Sequence, residues 1–451
     1  MSKAVELTSP SGALGESKIA RAIKRLLLVR RARGQALPRW GIPLVYSVAG
    51  VVLGAVLPRL ENRWLPHLLA PLSAAAATAI ESSIASGMIA LTGIVFALAF
   101  VMVQFGAVAY SPRLVSWMAR DPLIMHAIGV FTATFLYALA ALAWIDRRDS
   151  GEVPFVSAAV VVVLLLASVG VFVALVQRLN RLQIHSILTF ASERGRHVID
   201  SLYPPLDSGM AVAVELDRAS LTQVLVDHGR PRTIQALDPT ALMAAAARSD
   251  AVVEVISAVG DTIGEGMVLL RVYGSRRPIE EAELMRGFIL GDERTFEQDP
   301  KYAIHILVDI AIRALSPAIN DPSTAVQALD HIEDLLLRLG RRRLEIGEFR
   351  DLSGDLRLLV PFPSWDDFLN LALEEIRTYG ASNVRVMRRL RALLSDLVET
   401  LPAERRRSLR RQQERLEAVI LRTLEDDEQV LLASVEDRQG LGAPRRQRAG
   451  A

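Results

Sequence analysis

Four long stretches without a charged residue occupy the first 180 residues of the chain and constrain its fold more than any other feature. They cover residues 40–57, 84–110, 123–145 and 153–176, and each is 18 to 27 residues long. A helix of about 20 apolar residues crosses the roughly 30 Å hydrocarbon core of a bilayer. Because lipid demands that backbone hydrogen bonds be made within the segment, these stretches predict four transmembrane α-helices.

The distribution of charge divides the chain into a membrane block and a polar block. Residues 40–178 carry 13 charged residues in 139, whereas the other 312 residues carry 89. The contrast places the four spans within residues 40–178 and joins them to a large polar region. It excludes a disordered chain and a simple cytosolic enzyme, and the absence of cysteine excludes a disulfide-stabilised scaffold.

Lys and Arg residues beside the spans predict the orientation of the chain. Residues 1–39 carry nine of them. Four more follow the fourth span: Arg178, Arg181, Arg194 and Arg196. Since cytoplasmic flanks are enriched in Lys and Arg, we expect both the N-terminus and the C-terminal polar region in the cytoplasm. Residues 17–33 are basic and partly amphipathic, which fits an interfacial helix on anionic lipid or a charge cluster that only sets the topology.

The second apolar stretch carries small residues at a spacing of four, which places each pair on one face of a helix. Gln104 adds a polar side chain that needs a hydrogen-bonding partner or water. Two interpretations stay open: this face lines a pore or a subunit interface, or it packs against another helix of the same bundle. The candidate residues for either role are Ser83, Ser86, Gly87, Gly93 and Gln104.

No apolar stretch has an Asp, Glu, Lys or Arg at its centre. Proton-coupled carriers depend on ionisable groups within the membrane, so we do not expect a carrier of this kind. The two halves of the membrane block also show no inverted repeat or broken helix that would indicate a secondary transporter.

The polar region is predicted to form an α+β domain, in which a small β-barrel or sandwich is followed by a helical bundle. Residues 179–205 are predicted to form a linker helix. Short β-branched runs predict a β-rich domain over residues 206–278. Residues 279–435 carry helical periodicity and capping signals, and residues 436–451 are expected to form a disordered tail.

A glycine pattern within residues 259–272 resembles the hairpin turn of lipoyl- and biotinyl-type barrel domains. Such domains attach their group to a lysine at the tip of a hairpin. The chain has no lysine between Lys24 and Lys301. The resemblance therefore supports a small β-fold and not a swinging-arm carrier.

One predicted helix in the polar region carries a stripe of ionisable side chains. His305, Asp309 and Arg313 are four residues apart and therefore lie along one face. This stripe faces a pocket or a partner, or it is a surface ladder in which Asp309 and Arg313 pair, worth about 0.3–0.5 kcal/mol. Both interpretations stay open.

The run of residues 314–325 predicts a tight corner between two helices. Ser316 precedes a proline and ends the first helix, and Asp321, followed by Pro322, caps the second. Capping accounts for Asp321 but leaves Ser316, Asn320 and Thr324 with hydrogen-bonding capacity. Whether these side chains only shape the corner or bind something is left open.

This run, ALSPAINDPSTA, resembles the signature of a bacterial membrane-protein family known as domain of unknown function 2254. The motif RTFEQDP at residues 294–300, DIAIR at 309–313, YSPRL at 110–114 and IRTYGAS at 376–382 also match. The resemblance covers roughly residues 40–430. It implies four N-terminal spans in the bacterial inner membrane and a cytoplasmic C-terminal region, and it brings no established activity.

These motifs together indicate a candidate polar site in the cytoplasmic region. Its members are Arg294, Asp299, His305, Asp309, Arg313, Ser316, Asn320, Asp321 and Thr324. A metal site would require two helices to bring His331, Glu333 and Asp334 next to His305 and Asp309.

Known catalytic spacings are absent from the sequence. It contains no HExxH, GxSxG, Walker-loop or EF-hand pattern and no cysteine nucleophile. We therefore expect no enzymatic activity and no cofactor. The arginine-rich runs are interleaved with acidic residues, so we expect no nucleic-acid partner.

Two functional hypotheses follow. The first is a homo-oligomeric ion channel, with the second span facing the axis and the cytoplasmic domain forming a vestibule or regulatory module. The second is a membrane-anchored sensor or scaffold that binds a small ligand or a protein partner at the corner of residues 314–325. The lipid bilayer is a partner in both.

Overall fold

The computed structural model describes residues 41–65, 67–105, 122–146, 153–180, 184–206 and 220–442. They fall into two compact units, one within residues 35–186 and the other within residues 187–451. We call the first the membrane unit and the second the C-terminal domain. The basic stretch 17–33 lies outside the described residues, so both interpretations of it stay predictions.

The described part of the membrane unit consists of four helices, each long and apolar enough to cross a bilayer. Helix α1 spans Gly41–Trp64, α2 spans Ala74–Phe105, α3 spans Pro122–Asp146 and α4 spans Phe155–Asn180. Helix α3 is the most enclosed and packs against the other three. The four predicted apolar helices are confirmed.

Glycines allow α1 and α3 to approach each other at backbone distance. A Cβ atom added at Gly50 would lie 2.6 Å from the carbonyl oxygen of Ala133, and one at Gly54 would lie 2.7 Å from that of Tyr137. Both positions therefore require glycine. The spacing of Gly50 and Gly54 is the small-xxx-small pattern of close helix packing in membranes. The first span therefore carries small residues at a spacing of four, as the second span does.

The strands of the C-terminal domain form two sheets. They are β1 (Leu221–Val226), β2 (Arg232–Leu237), β3 (Val252–Val255), β4 (Thr262–Ile263), β5 (Val268–Tyr273), β6 (Phe288–Gly291), β7 (Glu348–Arg350) and β8 (Leu356–Leu359). The larger sheet has the order β1-β5-β3-β8-β7 and the smaller has the order β4-β2-β6. Strands β3 and β8 are parallel, and the other pairs are antiparallel.

The two sheets share one hydrophobic core. Leu225, Val253 and Leu270 from the larger sheet and Ile234 and Ile263 from the smaller sheet belong to the same buried cluster. The predicted mixture of strands and helices is confirmed. The described strands do not close into the barrel that the glycine pattern suggested.

The β-rich part extends beyond the predicted boundary at residue 278. Strand β6 pairs with β2. Strand β8 pairs with β3, which lies about 100 residues earlier in the chain. The sheets and the helical part are therefore interleaved in sequence. Strands of three or four residues carry too little periodicity to reveal such distant pairings.

The helices of the C-terminal domain begin with α5 (Ile184–Leu202), α6 (Pro239–Arg248) and α7 (Glu281–Met285). Then come α8 (Pro300–Ala314), α9 (Pro322–Gly340), α10 (Trp365–Tyr379), α11 (Val384–Thr400), α12 (Ala403–Thr423) and α13 (Asp427–Ala433). Asp321 caps α9 as predicted, and Ser364 starts α10 with a capping box.

The segment predicted as a linker helix over residues 179–205 is part of the helical packing. Helix α4 reaches Asn180 and α5 begins at Ile184, while residues 181–183 lie outside the described residues. A Cβ atom added at Gly195 of α5 would lie 2.9 Å from side-chain atoms of both Ala303 and Leu335. This glycine therefore lets α5 pack closely on α8 and α9.

The prediction of a disordered tail from residue 436 is wrong for residues 436–442. Asp437 is buried, and its carboxylate accepts hydrogen bonds from the backbone amides of Gly440 at 2.9 Å and Gly442 at 2.7 Å. Arg388 donates to the carbonyl oxygens of Val435 at 3.0 Å and Gly442 at 3.1 Å. Polar contacts hold this segment, so it shows no hydrophobic periodicity. Residues 443–451 lie outside the described residues.

Candidate functional site

The candidate residues of the second span lie on the outer surface of the membrane unit. Ser83, Ser86, Gly93 and Gln104 are exposed, and Gly87 is partly exposed. A Cβ atom added at either glycine would meet no atom within 4 Å outside its own stretch of helix. In the described residues, Gly87 and Gly93 therefore make no close contact on this face of α2, and the choice between a pore or subunit interface and packing within the bundle stays a prediction.

The opposite face of α2 is the one that packs inside the membrane unit. Met88 and Val95 are buried there against α3, in a cluster with Phe131. A third residue on this face, Glu81, has an ionisable side chain and is only 5% exposed. The outer side of α2 thus carries the small and polar candidate residues among exposed apolar side chains such as Ile94, Phe100 and Val101, whereas its inner side is apolar apart from Glu81.

Glu81 is a buried carboxyl group that lacks a full set of hydrogen-bonding partners. Its Oε2 atom is buried and accepts no hydrogen bond from the residues that the structure describes. Glu81 lies three residues before the charge-free stretch 84–110, and since α2 begins at Ala74, it belongs to this helix. It lies near one end of α2, so the prediction that no span has an ionisable residue at its centre is unchanged.

Glu61 is a second buried carboxyl group, and its bonding is complete by comparison. It is 4% exposed and lies near the end of α1. Its two oxygens accept hydrogen bonds from the backbone amide of Val156 at 2.6 Å, the amide of Ser157 at 2.9 Å and the hydroxyl of Ser157 at 2.9 Å. A carboxylate at a helix N-terminus is stabilised by these amides and by the helix dipole. Glu61 therefore joins the start of α4 to the end of α1.

Tyr137 of α3 lies where the four helices meet. It packs in one cluster with Leu57 of α1, Ile84 of α2 and Val161 of α4, and its hydroxyl donates to the carbonyl oxygen of Ser157 at 3.1 Å. Glu61 is one turn from Leu57, and Glu81 is one turn from Ile84. Both carboxyl groups therefore lie next to residues of this cluster.

In the C-terminal domain, the signature corner is held by its own polar groups. Asn320 has a φ angle of +47°, a conformation that asparagine tolerates better than most residues. Its backbone N–H donates to the carbonyl oxygen of Ser316 at 2.8 Å. The carboxylate of Asp321 accepts from the amides of Ser323 at 3.1 Å and Thr324 at 3.2 Å and from the Thr324 hydroxyl at 2.6 Å. Of the side chains that capping left unexplained, the Thr324 hydroxyl is thus engaged in the turn, and Ser316 and Asn320 contribute backbone contacts.

Arg294 and Asp299 form a buried ion pair at the other end of α8. Arg294 Nη2 lies 2.6 Å from Asp299 Oδ2, and the other oxygen of Asp299 accepts from the amide of Tyr302 at 3.1 Å. Burial raises the pKa of Asp299, and Arg294 partly offsets that effect. A Cβ atom at Gly260, where φ is +92°, would lie 2.5 Å from both side chains. This pair therefore joins a sheet turn to the helical part.

The predicted cytoplasmic site does not converge on one place. Helix α8 has 15 residues, which makes it roughly 22 Å long at 1.5 Å per residue. The ion pair of Arg294 lies at its start and the signature corner at its end. Between them, His305 Nε2 and Asp309 Oδ1 are 3.9 Å apart. The residues of the set serve several separate contacts along this helix.

The carboxylates considered for a metal site are bound by arginines. Asp334 lies 2.7 Å from Arg196, and Glu333 pairs with the buried Arg389. Arg389 also lies 2.8 Å from Asp330. Burial raises the pKa of Glu333, and its hydrogen bond with Arg389 partly offsets that effect. The sequence could not reveal these partners, because they lie on α5, α9 and α11.

Comparison with known proteins identifies the family. The chain matches the family model described as Predicted membrane protein (DUF2254) over residues 38–396. The chain belongs to this family. An uncharacterized protein of Mycobacterium bovis and two of Mycobacterium tuberculosis are each 29% identical to it over 378 residues, which cover 80% of this chain and 71% of theirs. No solved structure matches it.

The motifs that resemble DUF2254 lie in separate parts of this chain. The motif at residues 110–114 lies outside the described residues. The IRTYGAS motif forms the corner between α10 and α11, beside the signature corner: a Cβ atom at Gly380 would lie 3.3 Å from Leu315. Two DUF2254 motifs that are about 60 residues apart in sequence are therefore neighbours at one end of the helical part.

Proposed function

We propose that this protein is a homo-oligomeric ion channel of the bacterial inner membrane, in which copies assemble with α2 toward a shared axis. One observation carries the proposal: the small and polar face of α2 points away from its own bundle. Ser83, Ser86 and Gln104 are exposed there, and Gly87 and Gly93 face open space.

The polar members of this face, among them Ser86 and Gln104, are the part of α2 that is least suited to lipid. Polar side chains at membrane depth are usually satisfied by other helices or by water, and small residues allow two backbones to approach. An axis between copies offers both. Helix α2 has 32 residues, roughly 48 Å at 1.5 Å per residue, so it exceeds the roughly 30 Å hydrocarbon core.

The interior of one copy supports the same assignment by elimination. Phe131 and Tyr137 are fully buried where α3 meets the other helices. Among the described residues, the centre of the membrane unit is filled by side chains. A water-filled path would therefore run between copies and not through one of them.

The orientation belongs to the same proposal. The Lys and Arg residues flanking the spans favour a cytoplasmic N-terminus and a cytoplasmic C-terminal domain. In that orientation the C-terminal domain forms a vestibule or a regulatory module for the channel.

The absence of cysteine makes a direct test simple, because each single cysteine is introduced into a clean background. We expect purified Ser86→Cys protein to form disulfide-linked dimers, and a charged thiol reagent to block ion flux into liposomes. Leu166→Cys on α4, which is equally open to the surroundings, is the matched control and should do neither.

Two results would contradict this function. Wild-type protein that is monomeric by mass photometry, and liposomes that show no ion flux with it, would together exclude a channel. Equal cross-linking at Ser86→Cys and Leu166→Cys would remove the role of the α2 face.

The alternative function, a sensor or scaffold that binds at the signature corner, has weaker support. Asp321 and Thr324 are engaged in the turn, and Asn320 is used for its backbone conformation. The exposed tip from Pro317 to Asn320 is what remains for a partner. An Asn320→Gly variant keeps the turn, so loss of partner binding in that variant would favour the alternative.

A further inference from the structure

The described part of the C-terminal domain contains four buried arginines, and one of them, Arg377, meets neither a carboxylate nor a backbone carbonyl oxygen. Arg389 pairs with carboxylates, while Arg388 and Arg405 donate to backbone carbonyl oxygens. Arg377, on the last turn of α10, is only 7% exposed. In the described part of the chain its single hydrogen bond runs from Nη1 to the amide oxygen of Gln412 at 2.8 Å, and it forms no ion pair.

A neutral chain of amides links Arg377 to a second arginine. Gln412, itself buried on α12, donates through Nε2 to the side-chain oxygen of Asn370 at 2.9 Å. The same oxygen of Asn370 accepts from Arg415 Nη1 at 3.3 Å. Two guanidinium groups are thus held by amide oxygens where arginine ordinarily meets a carboxylate.

The charges around this pair leave it positive. Burial lowers the pKa of Arg377, and repulsion from Arg415 adds to that effect, while Glu374 acts in the opposite direction. Asp366 is engaged by Arg411 at 2.7 Å and also attracts Arg415. Counting Arg377, Arg411 and Arg415 against Asp366 and Glu374, one positive charge remains, close to a buried guanidinium.

We propose that Arg377 and Arg415 form a binding site for a phosphate group between α10 and α12. The planar guanidinium fork matches the oxygens of phosphate in pairs. A phosphate carries a charge of about −1.5 to −2 at pH 7, which suits two arginines better than the single charge of a carboxylate. Arg377 belongs to the IRTYGAS motif, which until now had no role beyond shaping a corner.

This site stands apart from the α2 face and does not depend on ion conduction. Within the C-terminal domain it would give the cytoplasmic region a ligand, either a soluble phosphate compound or the headgroup of an anionic phospholipid. Both sources present the same chemistry to the arginines. Separate arms of one experiment distinguish them.

Isothermal titration of the full-length protein in neutral detergent with inorganic phosphate tests the soluble source. The same protein in mixed micelles that contain phosphatidylglycerol tests the headgroup. We expect saturable binding in at least one arm and at least about tenfold weaker binding in Arg377→Gln and Arg415→Gln, as for the loss of a charged hydrogen bond. Arg407→Gln is the control: it removes the same charge from an exposed position of α12 that lies outside this group of charges.

A second variant guards against misfolding of the arginine variants. Gln412→Glu places a carboxylate where the amide oxygen now meets Arg377, and it removes the hydrogen bond that Gln412 Nε2 donates to Asn370. We expect this protein to stay folded and to lose its response to phosphate, because the carboxylate takes the place of the anion. No binding in either arm, or equal binding by wild type and Gln412→Glu, would overturn the proposal.

Discussion

Helices α1 and α2 carry similar residues and use them in opposite ways. Both have glycines among apolar residues, and both have one buried glutamate. In α1, Gly50 and Gly54 meet the backbone of α3. In α2, Gly87 and Gly93 meet nothing within 4 Å. A small residue in a span is therefore no evidence of packing until its neighbours are known.

The two glutamates repeat this contrast. Glu61 of α1 accepts three hydrogen bonds from the first turn of α4, whereas Glu81 of α2 keeps one buried oxygen without a donor. In the described residues, the buried carboxyl group of α1 thus has hydrogen-bond donors for both oxygens, and the buried carboxyl group of α2 does not. The difference indicates that α1 serves the fold of the membrane unit and leaves α2 available for another role.

The largest expected effect separates the glycines of the two helices. Gly54→Leu forces a side chain into the backbone of α3 and should lower the free energy of unfolding by about 3 kcal/mol or more, the upper range for overpacking. Gly93→Leu adds the same side chain on the open face and should change it by less than about 0.5 kcal/mol. Thermal unfolding in detergent, followed by circular dichroism, measures both.

The same pair of variants tests the assembly. Gly93→Leu should weaken the oligomer in mass photometry even though each copy folds normally, because the leucine keeps two α2 helices apart. If Gly93→Leu destabilises the folded chain as much as Gly54→Leu does, the contrast between the helices is lost.

A smaller effect separates the glutamates. Glu61→Gln removes the charge that holds three donors at the start of α4 and should cost about 1–2 kcal/mol. Glu81→Gln removes a charge that has no full set of donors, so its unfolding temperature should equal or exceed that of wild type. A fall in the unfolding temperature of Glu81→Gln as large as that of Glu61→Gln would show that Glu81 has stabilising partners.

Local signals predicted much of the secondary structure. The apolar stretches predicted four helices, and Asp321 with Pro322 predicted the start of α9, because length, hydropathy and capping act over a few residues. The tail at residues 436–442 was missed because its order depends on Asp437 and on Arg388, about 50 residues away. Strand β8 was missed for the same reason, since its partner β3 is distant in sequence.

The candidate site could be predicted only in part. The signature identified the corner of α8 and α9, yet most of its polar groups shape the turn. Arg377 lies inside the IRTYGAS motif, but nothing in the motif shows that Gln412, 35 residues later, is its acceptor. Burial and partners are properties of the assembled helices and are absent from any single motif.

The sequence by itself determined the family, the four apolar helices and the polar domain of strands and helices that follows them. These depend on composition and short-range pattern, which the chain carries whether or not it is folded. Only the tertiary structure decided which face of α2 stays open, that Glu81 is enclosed without a full set of donors, and that Arg377 and Arg415 lack a carboxylate between them. Each of these depends on which side chains from distant segments arrive at the same place, and packing alone sets that.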